Sequence, residues 1–407
     1  MDRRLLSYSV VTGSYWLFML TDGALRMLVL LYFHNLGYSP LTLAFLFLLY
    51  EFFGIITNLF GGWIAQRKGL KFTLIVGLTI QPLALLSLSF LNNDWLFTIP
   101  FIMLIQALSG IAKDFTKMSS KTAVKFLIPQ NKGTTLFKWV SVLTGSKNAI
   151  KGFGFFLGGF LLSTIGFKKG LYTLAILVFV ALILSLFLLP QNLGERKSNF
   201  KLKNMFKQKR SINILSSARV FLFASRDIWF VVSLPVYFST VLGWNHEQVG
   251  GFMAFWVIGY GVVQGITPKI LSLLTKKQNP TGKTALQMSV LLAMVMIFQT
   301  TLFFLNIFPT IIITYGIILF GIVFALNSSV HSFLILDYAD GDKAASNVGF
   351  YYMANAIGRL IGTLLSGLLF QFGGVTLSLL GSGIFLIITS MITKKLPNTI
   401  PSSKATF

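Results

Sequence analysis

Residues 143–162 read LTGSKNAIKGFGFFLGGFLL, and two features of that run decide the fold. It is long and apolar enough to cross a hydrocarbon layer of about 30 Å, which takes about 20 residues. It also opens on Lys147 and Lys151, one helical turn apart. A cation at bilayer depth costs a few kcal/mol or more and persists only inside a helix bundle or along a water-filled path. The run is therefore expected to be one helix of a multi-helix membrane protein, with an interior made for charge.

The pattern repeats along the chain. Arg26 follows WLFMLTDGAL, Arg226 sits in VFLFASRDIWFVV and Arg359 sits in ANAIGRLIGTLLSG. Of the 407 residues, 55% are hydrophobic and 11% charged, a balance that excludes an ordinary soluble domain. Twelve spans are expected, near 9–32, 40–64, 72–91, 95–115, 136–163, 171–189, 217–241, 248–267, 286–306, 310–331, 347–371 and 374–393. The polar stretch 190–216 divides them into an N-terminal six-helix bundle (1–189) and a C-terminal one (217–407), with 190–216 as a cytoplasmic linker.

The net charge of +23 follows from topology. With the N-terminus cytoplasmic, nearly all loop lysines and arginines fall on one side, including Arg67, Lys68, Lys71, Lys117, Lys121 and the 196–210 cluster, and only Lys168 and Lys169 on the other. That asymmetry predicts an inner-membrane, multi-pass protein with both termini cytoplasmic. It also accounts for the basic surplus without nucleic acid, so the partners expected are the lipid bilayer and a small anionic substrate. The first apolar run carries Asp22 and Arg26 and no small-residue cleavage site, so it is expected to span rather than to be a signal peptide. The chain has no cysteine and three scattered histidines, which gives no thiolate or zinc set. No nucleophile–base pair appears either. No enzyme activity, cofactor or metal is expected.

The two halves echo each other. Asn148-Ala149-Ile150-Lys151-Gly152 resembles Asn355-Ala356-Ile357-Gly358-Arg359. Ala107-Leu108 with Lys113 resembles Ala325-Leu326 with His331, and Arg26 answers Arg226. Parallel six-helix halves with a midplane site between them are the plan of the major facilitator superfamily. Gly62-Trp63-Ile64-Ala65-Gln66-Arg67-Lys68-Gly69-Leu70-Lys71 is similar to that family's loop between spans 2 and 3, with Gln66 in place of the usual aspartate.

The expected membrane segments hold Arg26, Lys113, Lys138, Lys147, Lys151, Arg219, Arg226 and Arg359 against Asp22, Glu51, Asp114 and Asp227, a surplus of four positive charges. Asp22 and Arg26 are four apart. They form either a self-neutralised pair or a ligand-binding arginine held by its aspartate. Lys147 and Lys151 repel on one face unless Glu51 or Asp114 pairs with them or an anion bridges them. Asp227 points away from Arg226 along the helix and is free to pair elsewhere. Arg219 lies near the cytoplasmic end, where its stem reaches the interface; Lys113 is the residue of its helix expected to face a cavity. The planar fork of arginine suits phosphate and arsenate oxygens, with lysine adding point charge. The candidate substrate residues are thus Arg26, Lys113, Lys147, Lys151, Arg226 and Arg359, and the coupling or ion-pair residues Asp22, Glu51, Asp114 and Asp227.

The stretches YEFFGIITNLFGGW (50–63), QALSGIAKDFTKMSSKTAVK (106–125), LTGSKNAIKGFGFFLGGFLL (143–162), SARVFLFASRDIWFVVSLPVY (217–237) and FWVIGYGVVQ (255–264) resemble the organoarsenical-efflux permeases of bacterial arsenic-resistance clusters. That resemblance implies alternating-access export of 1-arseno-3-phosphoglycerate. It also implies a functional link to the glyceraldehyde-3-phosphate dehydrogenase that makes this ester from arsenate. In the related organophosphate–phosphate antiporters one arginine on the first helix of each half grips phosphate, and Arg26 and Arg226 match those positions. Exchange of an organophosphate for phosphate, and a non-transporting sensor on the same fold, remain the alternatives.

Overall fold

The computed structural model describes residues 3–90, 95–127, 133–191, 208–274, 280–339 and 344–397. Most of the expected linker falls outside them, as do the side chains of Gln66, Arg67 and Lys138. The described chain is helical throughout. The N-terminal half runs α1 (Arg3–Asn35), α2 (Pro40–Leu46), α3 (Leu48–Lys68), α4 (Leu70–Ser89), α5 (Trp95–Leu127), α6 (Gly133–Thr164) and α7 (Gly166–Leu188). The C-terminal half runs α8 (Arg210–Phe230), α9 (Ser233–Thr240), α10 (His246–Leu274), α11 (Gly282–Phe304), α12 (Pro309–Ile311), α13 (Ile317–Tyr338) and α14 (Ala344–Thr393).

Ten helices among the described residues are long and apolar enough to cross a membrane. Two physical details reconcile that number with twelve spans. α14 is two arms joined at Gly373 and Gly374, and Gly374 has φ +60° and ψ −157°, a backbone region open essentially to glycine alone. α6 is 32 residues long, but Lys147, Asn148 and Lys151 dilute its hydropathy. The outer surface carries exposed Ile176, Phe179, Phe187, Phe298 and Leu273, apolar side chains of the kind that face lipid.

Two spans are broken where the charged residues gather. Phe47 interrupts the path from α2 to α3, three residues before Tyr50 and four before Glu51. Val231 and Val232 interrupt the path from α8 to α9, just after Arg226 and Asp227. The second break frees backbone donors in the buried interior, and Ser366 Oγ of α14 accepts from Val232 N at 3.0 Å and Ser233 N at 3.1 Å. Freed backbone groups inside a membrane protein must be satisfied in this way.

Glycines set the close helix crossings, and they show the duplication. A Cβ on Gly154 or Gly158 of α6 would strike the Leu20 or Ala24 carbonyl of α1. A Cβ on Gly358 or Gly362 of α14 would strike the Val220 or Ala224 carbonyl of α8. The contact is the same, made twice, 200 residues on in α1 and α8 (20 to 220, 24 to 224) and 204 residues on in α6 and α14 (154 to 358, 158 to 362). The sequence echo of Asn148 with Asn355 spans 207 residues, so packing places Lys151, not Asn148, opposite Asn355. The two halves meet along α6 with α10, where a Cβ on Gly152 would lie 2.9 Å from the Ala254 carbonyl and one on Gly145 3.0 Å from that of Gly261. They also meet along α2 and α3 with α14, where Gly367 packs on Pro40. Small residues let membrane helices approach this closely.

Gly154→Val is expected to cost about 1–3 kcal/mol by overpacking α1, lowering the melting temperature of the detergent-purified protein. Gly13→Ala, which has open space around it inside α1, should hold the melting temperature or raise it slightly, since alanine favours the helix.

Candidate functional site

α1 carries Asp22 and Arg26 one turn apart, and α3 opens with Tyr50 and Glu51 in its first turn. α5 supplies Lys113 and Asp114, α6 Lys147 and Lys151, α8 Arg226 and Asp227, and α14 Arg359. Glu51 is 1% exposed, and one of its oxygens is shared: Arg26 Nη2 donates to Oε1 at 2.7 Å and Arg359 Nη2 donates to the same atom at 2.5 Å. Arg359 Nε lies 3.8 Å from Asp227 Oδ2, and Arg226 donates to Asp227 Oδ1 from Nε at 2.7 Å and Nη2 at 2.5 Å. A chain of alternating charge, Arg26–Glu51–Arg359–Asp227–Arg226, thus passes from one half of the molecule to the other.

A second group adjoins it. Lys151 Nζ donates to Asp22 Oδ2 and Tyr50 Oη donates to Asp22 Oδ1, each at 2.5 Å. Lys113 Nζ lies 4.0 Å from the centre of the Tyr50 ring, a cation–π contact. Among the described residues no carboxylate forms an ion pair with Lys113. Asp114 serves a different purpose: Thr57 Oγ1, Asn58 Nδ2 and Lys117 Nζ converge on it at 3.0 to 3.1 Å, tying α3 to α5.

Several expectations are redrawn by these contacts. Asp22 and Arg26 do not neutralise each other. Each reaches a different helix, Asp22 to α6 and Arg26 to α3. Lys151 is paired, but with Asp22 and not with Glu51 or Asp114. Asp227 pairs with its neighbour Arg226 and faces Arg359, because arginine's length overcomes the angular offset along the helix. Lys147 is half-buried on α6, one turn from Lys151. Arg219 is turned inward and 4% exposed rather than reaching for the interface. Tyr50 has no charge to mark it in the sequence; only its position beside Glu51 in a broken span could have pointed to it.

The central group of Arg26, Lys113, Lys151, Arg226 and Arg359 faces Asp22, Glu51 and Asp227, leaving two positive charges over. The side chains of Lys151, Arg226 and Arg359 are 16%, 16% and 20% accessible, so they are not sealed off from the space between the helices. A separate cleft of about 530 Å³ lies between α1, α6 and α7, lined by Val10, Gly13, Leu17, Phe153 and Leu184 among others. Its walls are apolar and it holds none of these charges, so it is not the site.

One end of the bundle is bridged between halves: Asn35 Nδ2 and His246 Nε2 are 2.8 Å apart, Ser163 Oγ donates to Glu247 at 2.7 Å, and Leu41 N donates to Gln371 at 3.2 Å.

Glu51→Ala should destabilise the ligand-free protein by about 3–5 kcal/mol, because it strands buried Arg26 and leaves Arg359 only the more distant Asp227. Lys113→Met, which strands no carboxylate, should be neutral or stabilising. Thermal unfolding in detergent separates the two outcomes.

No curated protein matches the chain. Solved structures match it almost end to end. A D-xylose–proton symporter is 13% identical, with a TM-score of 0.72 and 97% of each chain covered. A bacterial homologue of the iron transporter ferroportin, in an outward-facing state, is 15% identical, with a TM-score of 0.68 over 96% of this chain and 98% of that one. A POT family transporter in complex with a thioalcohol-conjugated peptide is 15% identical, with a TM-score of 0.72 and 95% of each chain covered. At these identities they establish the fold and leave the substrate open. The profile of the Major Facilitator Superfamily matches residues 11–363, and the chain belongs to that superfamily of membrane transporters.

Proposed function

We propose that this transporter exports a small organic polyanion by alternating access. The observation that carries this reading is the Glu51 carboxylate, gripped at a single oxygen by an arginine from each half. A carboxylate oxygen held this way marks a place where a phosphoryl or arsenyl oxygen of a substrate can be held instead. The surplus of two positive charges around it matches a dianion, and arginine's fork suits such oxygens bidentately.

The resemblance of spans 2, 4, 5, 7 and 8 to the organoarsenical-efflux permeases supports a finer reading, 1-arseno-3-phosphoglycerate, made inside the cell by glyceraldehyde-3-phosphate dehydrogenase during arsenate exposure. Arg26 and Arg226 would clamp one oxyanion, with Lys113, Lys147, Lys151 and Arg359 lining the rest. Asp22, Glu51 and Asp227 hold Lys151, Arg26, Arg359 and Arg226 in place until substrate arrives, and Asp114 holds Lys117 beside them. If the termini are cytoplasmic, the bridged end of the bundle is the outer one, and the site awaits substrate from inside. An inside-negative potential then favours export, since each charge moved across 100 mV is worth about 2.3 kcal/mol.

Everted membrane vesicles containing the protein should accumulate arsenic when supplied with arsenate, glyceraldehyde 3-phosphate, NAD and the dehydrogenase, and should not when the dehydrogenase is omitted. Accumulation that ignores the dehydrogenase contradicts the finer reading. Arg26→Ala and Arg226→Ala should each reduce uptake to background while inserting normally. Arg→Lys at either position should also be impaired, because a point charge does not replace the fork.

A further inference from the structure

Arg219 is a buried charge that the central site does not use. Its Nε donates to Asn355 Oδ1 at 3.0 Å and its Nη1 to the Ser328 carbonyl at 3.2 Å. Its guanidinium carbon lies 3.9 Å from the Phe223 ring centre and 5.0 Å from that of Tyr351. Among the described residues no carboxylate pairs with it. The duplication makes this pointed. In the N-terminal half, α1 meets α6 through Asp22 and Lys151, a neutral ion pair. In the C-terminal half the residue opposite Lys151 is Asn355, and its partner from α8 is a cation. A desolvated charge held only by neutral acceptors lacks the compensation that keeps a buried ion pair tolerable.

Its surroundings connect it to the central site. Arg226 lies 4.8 Å from the same Phe223 ring, so the two guanidiniums are no further apart than a molecule of a few carbon atoms can span. Beside them runs a neutral polar row crossing between the halves. Asn148 Nδ2 donates to Gln264 Oε1 at 2.7 Å, and Gln264 Nε2 donates to Tyr260 Oη at 2.6 Å. Tyr260 Oη in turn lies 3.3 Å from Ser328 Oγ, on the residue whose carbonyl holds Arg219.

We propose that Arg219 is a second anion anchor, so that the site takes a short hydroxyl-bearing carbon chain with an anionic group at each end. One end meets Arg26, Arg226 and Arg359, the other meets Arg219, and Asn148, Gln264 and Tyr260 hydrogen-bond the neutral middle. This rests on the polyanion reading above and narrows it.

Three probes test it by calorimetry on the full purified chain: inorganic phosphate, glycerol 3-phosphate with one anionic end, and 3-phosphoglycerate with two. The wild type should bind 3-phosphoglycerate about tenfold or more tightly than glycerol 3-phosphate, the worth of one added charge-assisted contact. Arg219→Gln should erase most of that preference while glycerol 3-phosphate binds nearly as before. Arg219→Lys, which keeps the buried charge and so guards against misfolding, should reduce the preference partway. An undiminished preference in both variants overturns the proposal. So does an equal loss of affinity for both organic probes, which would make Arg219 part of the first anchor or of the scaffold. Failure of the wild type to bind any probe overturns the polyanion reading itself, and this proposal with it. Binding without preference between the two organic probes overturns only the second anchor.

Discussion

One carboxylate oxygen, Glu51 Oε1, accepts hydrogen bonds from Arg26 in its own half and Arg359 in the other. Buried ions are tolerated only in compensated sets, so this sharing ties the charge balance of each half to the position of its partner. Removing Arg359 by separating the halves leaves Glu51 with Arg26 alone and Arg359 with the more distant Asp227 at 3.8 Å. The glycine crossings along α6–α10 and α2–α14 hold the halves close around the shared oxygen. An anion that takes over the arginines' bonds therefore acts on the contact between halves as well as on its own binding.

The duplicated architecture is chemically unequal. Gly154 and Gly158 seat α6 on α1 as Gly358 and Gly362 seat α14 on α8, yet the polar contact across the first pair is Asp22 with Lys151 and across the second Arg219 with Asn355. At that one crossing the scaffold holds a neutral ion pair in the first half and a cation on a neutral amide in the second.

Much of the fold was legible in the sequence because membrane spanning is a severe constraint: long apolar runs, one-sided loop charge and repeated interior cations leave few architectures. The break at Phe47 was not legible, since no glycine or proline stands beside it, whereas that at Val231–Val232 carried a signal: Pro235 has no N–H for the Val231 carbonyl, and its ring crowds that carbonyl. Within the candidate site, the identities of the buried charges could be read but not their pairings. Spacing of four suggested Asp22 with Arg26, whereas packing sends one to α6 and the other to α3. Spacing describes neighbours on one helix, whereas Asp22 meets Lys151, and Arg219 meets Asn355, across helix crossings set by glycines. Arg219 was misplaced for a similar reason: depth along a helix does not say whether a side chain turns outward to the headgroups or inward onto Phe223 and Tyr351.

On the reading proposed above, a Glu51 oxygen occupies the place of a substrate oxygen. The most direct measurement is the affinity of 3-phosphoglycerate for Glu51→Gln, which retains the side chain's shape but removes the competing charge. Tighter binding than wild type, with transport lost because the contact between halves no longer resets, is the predicted result. Weaker or unchanged binding would contradict it, and would make Glu51 a structural counterion whose arginines never meet the substrate.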